Sequence, residues 1–372
     1  MRELPRSPSG RRLFPEMSAL AFQHKADLEA MEAIKKVPMA ASIIRKVNEL
    51  WTEKFFYTST IGDDLKLGPK QLPRVWGMFR EAADILDVKE LPDLYLNTSY
   101  EVNAFAFGMK KYTIVLCSGL VDLLDDDELM AVLGHELGHV KCEHALYKTL
   151  AAIVANTGGD ILTSFFGVTQ LVMLPIQAAL FAWSRKAELS CDRAALLATQ
   201  SPEASARALA KLGGGGLRKR TDPIDLDVVC EQAKEYEKLD DSILLKGMSL
   251  YQSWHKTHPY PIYRAKALLE WSKTEDYTKI LDGEYMTHAA AAAYRRYVDG
   301  KADAEDRAEV QERIKNLEER AAKLAGGGVD APRVIEKEKI VLKEVVVYRD
   351  AVPRPGRSAR IVAFVVGAVG VA

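Results

Sequence analysis

The sequence predicts an α+β fold, mostly helical, in which a small sheet precedes the helix that carries the chemistry. Three observations predict it. Residues of strand type cluster in one short region, as Asp93 to Leu96, Asn103 to Gly108 and Tyr112 to Leu116. Helical periodicity fills the flanks, most clearly where Leu129, Leu133, Leu137 and Val140 recur along one stripe. Beside that stripe lies His135-Glu136-Leu137-Gly138-His139. Strands first and helices after is the order of an α+β chain and not of a doubly wound one.

Residues 1–25 carry Arg2, Arg6, Arg11 and Arg12 among serine, proline and glycine, and are expected as a disordered or targeting tail. A folded domain is expected over 26–285, a charged helical extension over 286–328 and a C-terminal tail of no readable role over 329–372. Helical periodicity begins near Ala26 and continues through Ile43 and Trp51 to Phe56, before Gly62-Asp63-Asp64 interrupts it. A second helix is expected from Pro73 to Leu86. The runs flanking Met109-Lys110-Lys111 read as a hairpin. Ser201-Pro202-Glu203 opens a later helix that Gly213 to Gly216 closes, and 216–227 is expected as a loop over the site.

The histidines of HELGH stand four apart, so both imidazoles leave one side of a helix. At that spacing HExxH binds zinc, with the intervening Glu136 as general base. Asp125 and Glu128 form a capping-box pattern that starts the helix. Two histidines leave the metal incomplete. His144 is read as continuing the helix, about 140° round from His139 and pointing away from the metal, and is rejected as a ligand. Ser184 to Ala195 supplies a better one: Ser184 is a cap, and Glu188 and Asp192 fall one turn apart on a shared face. Glu188 can be the carboxylate ligand, and Asp192 can take the outer N–H of a zinc-bound histidine. His258, held before Pro259-Tyr260-Pro261, can donate to a developing oxyanion. The strand from Asn103 is a candidate edge for holding a substrate backbone.

Composition narrows the function further. With 48% hydrophobic and 28% charged residues, a net charge of −1 and no basic stripe, nucleic acid is excluded as a partner. The cysteines (Cys117, Cys142, Cys191, Cys230) form no CxxC pair, which excludes a disulfide framework and fits a reducing, intracellular compartment.

Asn103-Ala104-Phe105, Ser118-Gly119-Leu120, HELGH, Glu188 with Asp192, and Thr257-His258-Pro259 with Arg264 occur in that order. Together they resemble the HtpX, CAAX-prenyl-protease and OMA-type zinc metallopeptidases over roughly residues 85–275. Plastid-type members of plants and algae are the most similar. The resemblance implies a zincin-like core with one zinc ion per chain on His135, His139 and Glu188, and Glu136 as base. It implies that Asn103, Ala104 and Phe105 form the edge that pairs with substrate, and that His258 and Arg264 support the transition state and the site's architecture. The expected function is a zinc metalloendopeptidase acting on polypeptides in protein quality control or turnover. A membrane or lipid surface in a plastid or mitochondrion is its expected location. The rival is a catalytically silent zinc scaffold or chaperone-like partner of membrane proteins; Glu136 argues against it, because a structural zinc site needs no base.

The longest uncharged run, Ile161 to Trp183, has the length to cross a bilayer, but Gln170, Pro175 and Gln177 interrupt it. The chain must also bring His139 and Glu188 to one side. The run is expected as a buried core helix or a monotopic element that dips into the membrane.

Overall fold

Three runs between residues 93 and 117 form β2 (Asp93–Asn97), β3 (Ala104–Phe107) and β4 (Thr113–Cys117), and a short β1 (Leu65–Lys66) joins them. The order is β1-β2-β4-β3. β2 runs parallel to β4, with Leu94 opposite Ile114, and β3 returns antiparallel with Ala104 opposite Leu116. β4 is buried at every position, so its sequence lacks alternation. β3 lies at the sheet's edge. The computed structural model describes residues 3–37, 39–40, 42, 60–108, 112–144, 147–151, 170–214, 224–239, 258–298 and 300–325. The expected helix over 43–56, the 109–111 turn, residues 161–169, most of the 216–227 loop and the tail from 326 lie outside these.

With the sheet, one compact unit (Met1–Met286) contains α1 (Lys25–Lys36), α2 (Pro73–Ile85), α3 (Ser118–Leu123), α4 (Asp126–Lys141), α5 (Gln170–Thr199), α6 (Pro202–Gly214), α7 (Leu226–Leu239), α8 (Pro261–Trp271) and α9 (Glu275–Leu281). The other unit (Thr287–Ala372) contains α10 (His288–Val298) and α11 (Ala304–Ala325), where Arg296 donates to both oxygens of Asp306.

α4 is the centre of the first unit. Its capping box is complete: Asp125 accepts from the Glu128 N–H at 2.9 Å and Glu128 from the Asp125 N–H at 3.0 Å. Every residue from Glu128 to Val140 is buried, not only one stripe. On one side α5 crosses it closely enough that a Cβ on Gly134 would stand 2.6 Å from Ala198 Cβ, and one on Gly138 2.8 Å from Ala194 Cβ. These glycines let two helix backbones touch, which brings Glu188 and Asp192, just before these contacts on α5, up to the histidines of α4.

The structure corrects three expectations. α4 ends at Lys141, and Glu143 turns the chain in a left-handed conformation (φ 57°). Glu143 N–H then bonds Val140 O at 3.1 Å and His144 N–H bonds His139 O at 2.9 Å, the paired bonds of a Schellman turn. His144 therefore does not continue the helix; it folds back against His139. Ser184 caps nothing, because α5 runs unbroken through it. Residues 3–25 are not a disordered tail: Phe14, Met17 and Phe22 are at most 1% exposed in the main core. Burial of each such side chain contributes about 2 kcal/mol, which outweighs the polar composition around them. The arginines serve the same docking, Arg11 Nε donating to Thr199 O at 3.1 Å and Arg12 Nη1 to Leu281 O at 2.7 Å.

Residues 170–183 of the uncharged run are described, and from Met173 on they are buried on one side and exposed at Leu174, Pro175 and Ala178. They form the start of α5, and Met173, Ile176, Leu180 and Trp183 are buried in a second core cluster with Ala30 and Ile34 of α1. Among the described residues, no helix is long and apolar enough to cross a membrane.

Candidate metal centre

α4 presents His135 and His139 one turn apart, and α5 brings Glu188 between them. His135 Nε2 lies 3.4 Å from Glu188 Oε2, and His139 Nε2 lies 3.3 Å from Glu188 Oε1. Both Nε2 atoms are buried and lack a hydrogen-bond partner. Donors on a tetrahedral zinc, with bonds of about 2.0–2.2 Å, stand about 3.3–3.6 Å apart. The observed spacing fits, and so does the donor set of two imidazoles and a carboxylate. The donor atoms of His258 and these three residues all lie within 4.8 Å of one another.

The outer side of His135 is held by Asp192, whose Oδ1 is 3.1 Å from Nδ1. Arg264, near the start of α8, grips that aspartate through Nε (2.8 Å) and Nη2 (2.6 Å), and its Nη1 lies 3.0 Å from Glu188 Oε2. His258 bridges the centre and the sheet: Nδ1 is 2.7 Å from Glu188 Oε2, and Nε2 is 2.8 Å from Ala104 O on β3. Glu136, 1% exposed, has Oε1 3.5 Å from His258 Nε2 and leaves Oε2 without a partner.

Charge explains the state of these groups. Burial alone would push the Glu188 carboxyl up, but the charges of His258, Lys148 and Arg264 hold it well below the usual carboxylate range. Asp192 is likewise buried, and Arg264 and His135 keep it low. Burial disfavours charge on His135, yet its hydrogen bond to Asp192 and the nearby negative charge of Glu188 outweigh it and raise the ring to about 9. His139 goes the other way, pushed well down by burial and by Lys148.

A cavity of about 520 Å³ opens beside the centre. Its polar end holds His135, Glu136, His258 and Arg264, and its apolar wall includes Val132, Leu209, Leu212 and Leu268. Asn103 and Ala104 line it as well; Phe105 does not, and stacks instead on Phe107 with ring centroids 6.2 Å apart. The fold thus gathers every sequence-chosen residue except Phe105 around one cavity or its supports. Sequence reasoning missed Lys148, which donates to Glu188 Oε1 at 2.7 Å, and Asp27, which lies behind His144.

A buried HExxH helix, joined by a glutamate one helix away and opening on a cavity beside an edge strand, defines a metallopeptidase. The family model described as Peptidase family M48 matches residues 69–272, and the chain belongs to that family. It is 35% identical to the plastoglobule-localized metallopeptidase 48, chloroplastic, of Arabidopsis thaliana, over 72% of this chain and 77% of that protein. It is 28% identical to a protease HtpX homolog of Moorella thermoacetica, over 52% of this chain and 70% of that one. A protease HtpX homolog of Tropheryma whipplei (strain Twist) is 33% identical over 40% of this chain and 59% of its own length.

Proposed function

We propose that this metallopeptidase is a zinc-dependent endopeptidase whose metal is held by His135, His139 and Glu188. The observation that carries the reading is the pair of buried, unpartnered Nε2 atoms facing the two oxygens of one carboxylate. Zinc held there supplies Lewis acidity toward a carbonyl oxygen and toward water.

The rest is the work of the chain. Glu136 takes a proton from the attacking water and passes it to the leaving amine, a role supported by its unpartnered Oε2 at the cavity wall. Asp192 keeps the His135 proton on Nδ1, which leaves Nε2 for the metal. Arg264 neutralises Asp192 and Glu188 and so holds both in place. Ala104 offers edge-strand backbone to an extended substrate, between Asn103, whose carbonyl accepts from the Cys117 N–H, and Phe105 on the same strand. His258 donates to the developing oxyanion once its bond to Ala104 O is given up to substrate.

The finer location is also a proposal. An organellar lipid surface, plastid in the first instance, is supported by the similarity to the plastoglobule-localized relative. Met173, Ile176, Leu180 and Trp183 give it no support, since they are buried in the protein core. Quality control or turnover of proteins at that surface is the corresponding role. The test is Glu136→Gln: it should keep about one zinc per chain and lose hydrolysis of an unfolded protein substrate by several orders of magnitude. Full hydrolysis by that variant, or zinc loss from a folded one, sinks the assignment.

A further inference from the structure

Behind His139 lies a buried polar chain that the proposed reaction does not use. His139 faces Glu188 through Nε2, so its outer nitrogen is Nδ1. Two groups meet that nitrogen: His144 Nδ1 at 3.2 Å and Cys191 Sγ at 3.1 Å. His144 is fully buried, and its other nitrogen, Nε2, is 3.0 Å from Asp27 Oδ2. Asp27 is fully buried too. Its carboxylate also accepts from Trp183 Nε1 (2.9 Å), Ser190 Oγ (2.7 Å) and Gln23 Nε2 (2.9 Å).

We propose that Asp27 and His144 form a positioning relay that fixes His139 in the tautomer and orientation a metal ligand needs. An ionised carboxylate can only accept, so Asp27 places the His144 proton on Nε2. His144 Nδ1 is then a lone pair aimed at His139. A thiol is a weak acceptor, so His139 donates its Nδ1–H to His144, and Nε2 is left bare toward Glu188. His135 receives the same service directly from Asp192; His139 receives it through one intervening imidazole.

The backbone explains the spacing. In a Schellman turn the residue two past the helix cap folds onto the last turn, usually as an apolar contact. Here that residue is His144 and the residue it meets is His139, so a separation of five becomes a side-chain contact. Asp27 comes from α1, outside the stretch that matches the family model. Its position is secured by α5: the His24 N–H donates to Ser190 Oγ at 2.9 Å, two residues beyond Glu188. The N-terminal segment is on this account part of the metal centre.

The inference rests on His139 being a ligand, and the tests separate the two claims. Zinc affinity of the full chain is measured by competition with a chromophoric chelator. His144→Leu should bind about 10–100-fold more weakly, and His144→Gln, whose amide oxygen can accept from His139, should recover most of the loss. Asp27→Asn should weaken binding on its own and add nothing to His144→Leu. Phe79→Leu, a core change in α2, should lower Tm and leave affinity unaltered. Histidine nitrogen-15 NMR of the unmutated, zinc-loaded chain reads the relay without substitution: His139 should carry its proton on Nδ1 and His144 on Nε2. Wild-type affinity in His144→Leu, additivity with Asp27→Asn, or the opposite tautomer at His144 overturns the relay. A wild type that binds no zinc removes the metal reading and the relay with it.

Discussion

At Glu188 the side chains of His258, Lys148 and Arg264 crowd a carboxylate whose two oxygens also face the ligand nitrogens. Lys148 is the member that a metal has least use for, since its ammonium sits 2.7 Å from Oε1, the oxygen facing His139. It repels a dication, and it stabilises the metal-free carboxylate. Both effects oppose binding, so Lys148→Met should tighten zinc affinity by at least about tenfold and destabilise the metal-free protein. Weaker binding in that variant would mean that the lysine orients Glu188 for the metal instead. Glu188→Ala should lose zinc outright, Asp192→Asn should bind about 10–100-fold more weakly, and His144→Ala should still load fully at saturating zinc; elemental analysis and chelator titration read all three. His135, Glu136 and His139 could be read in the sequence because i,i+4 geometry is local. Glu188 and Asp192 could be read for the same reason. His144 could not, because its placement depends on a turn at Glu143, where the usual glycine signal is missing. Asp27 could not either, as it stands 117 residues from the histidine it holds.

The crossing of α4 and α5 decides whether those residues meet. Alanine for glycine inside a helix gains about 1 kcal/mol in propensity, whereas forcing a methyl into a packed contact costs about 1–3 kcal/mol. At Gly138 the added Cβ would meet Ala194 Cβ at 2.8 Å, so the clash wins and Gly138→Ala should lower both Tm and zinc affinity. Gly77 in α2 has nothing within 4 Å, so Gly77→Ala should raise Tm by contrast. Equal signs in the two variants would show that the crossing can relax. Glu143 offers an independent check on the turn: with φ at 57°, Glu143→Gly should stabilise by up to about 1 kcal/mol and keep zinc affinity. The small sheet was legible from strand-type runs, with the placing of β4 between β2 and β3 left to tertiary packing. The start of α5 was not legible, since a continuous apolar run has no cap and Ser184 looked like one.

For the whole unit, the N-terminal residues are structural. Deleting residues 1–22 removes Phe14, Met17 and Phe22 from the core, each worth about 2 kcal/mol, and should bring Tm down sharply or prevent folding. A stable, active chain beginning after Phe22 would restore the reading of this region as a removable leader. The apolar residues that dock it were present in the sequence, but the arginines, serines and prolines around them carried the compositional signal. Metal couples the same parts: at free zinc near 1,000 times its Kd, binding adds about 4 kcal/mol to stability, so chelation should lower Tm reversibly. Among the described residues two donor groups share His139: one with His135, Glu188 and His258, the other with His144 and Cys191. X-ray absorption at the zinc edge of the purified chain separates them. The expected result is a shell of nitrogen and oxygen neighbours at about 2.0–2.2 Å without sulfur; a sulfur neighbour at about 2.3 Å would put the metal on Cys191 and contradict the site described for His135, His139 and Glu188.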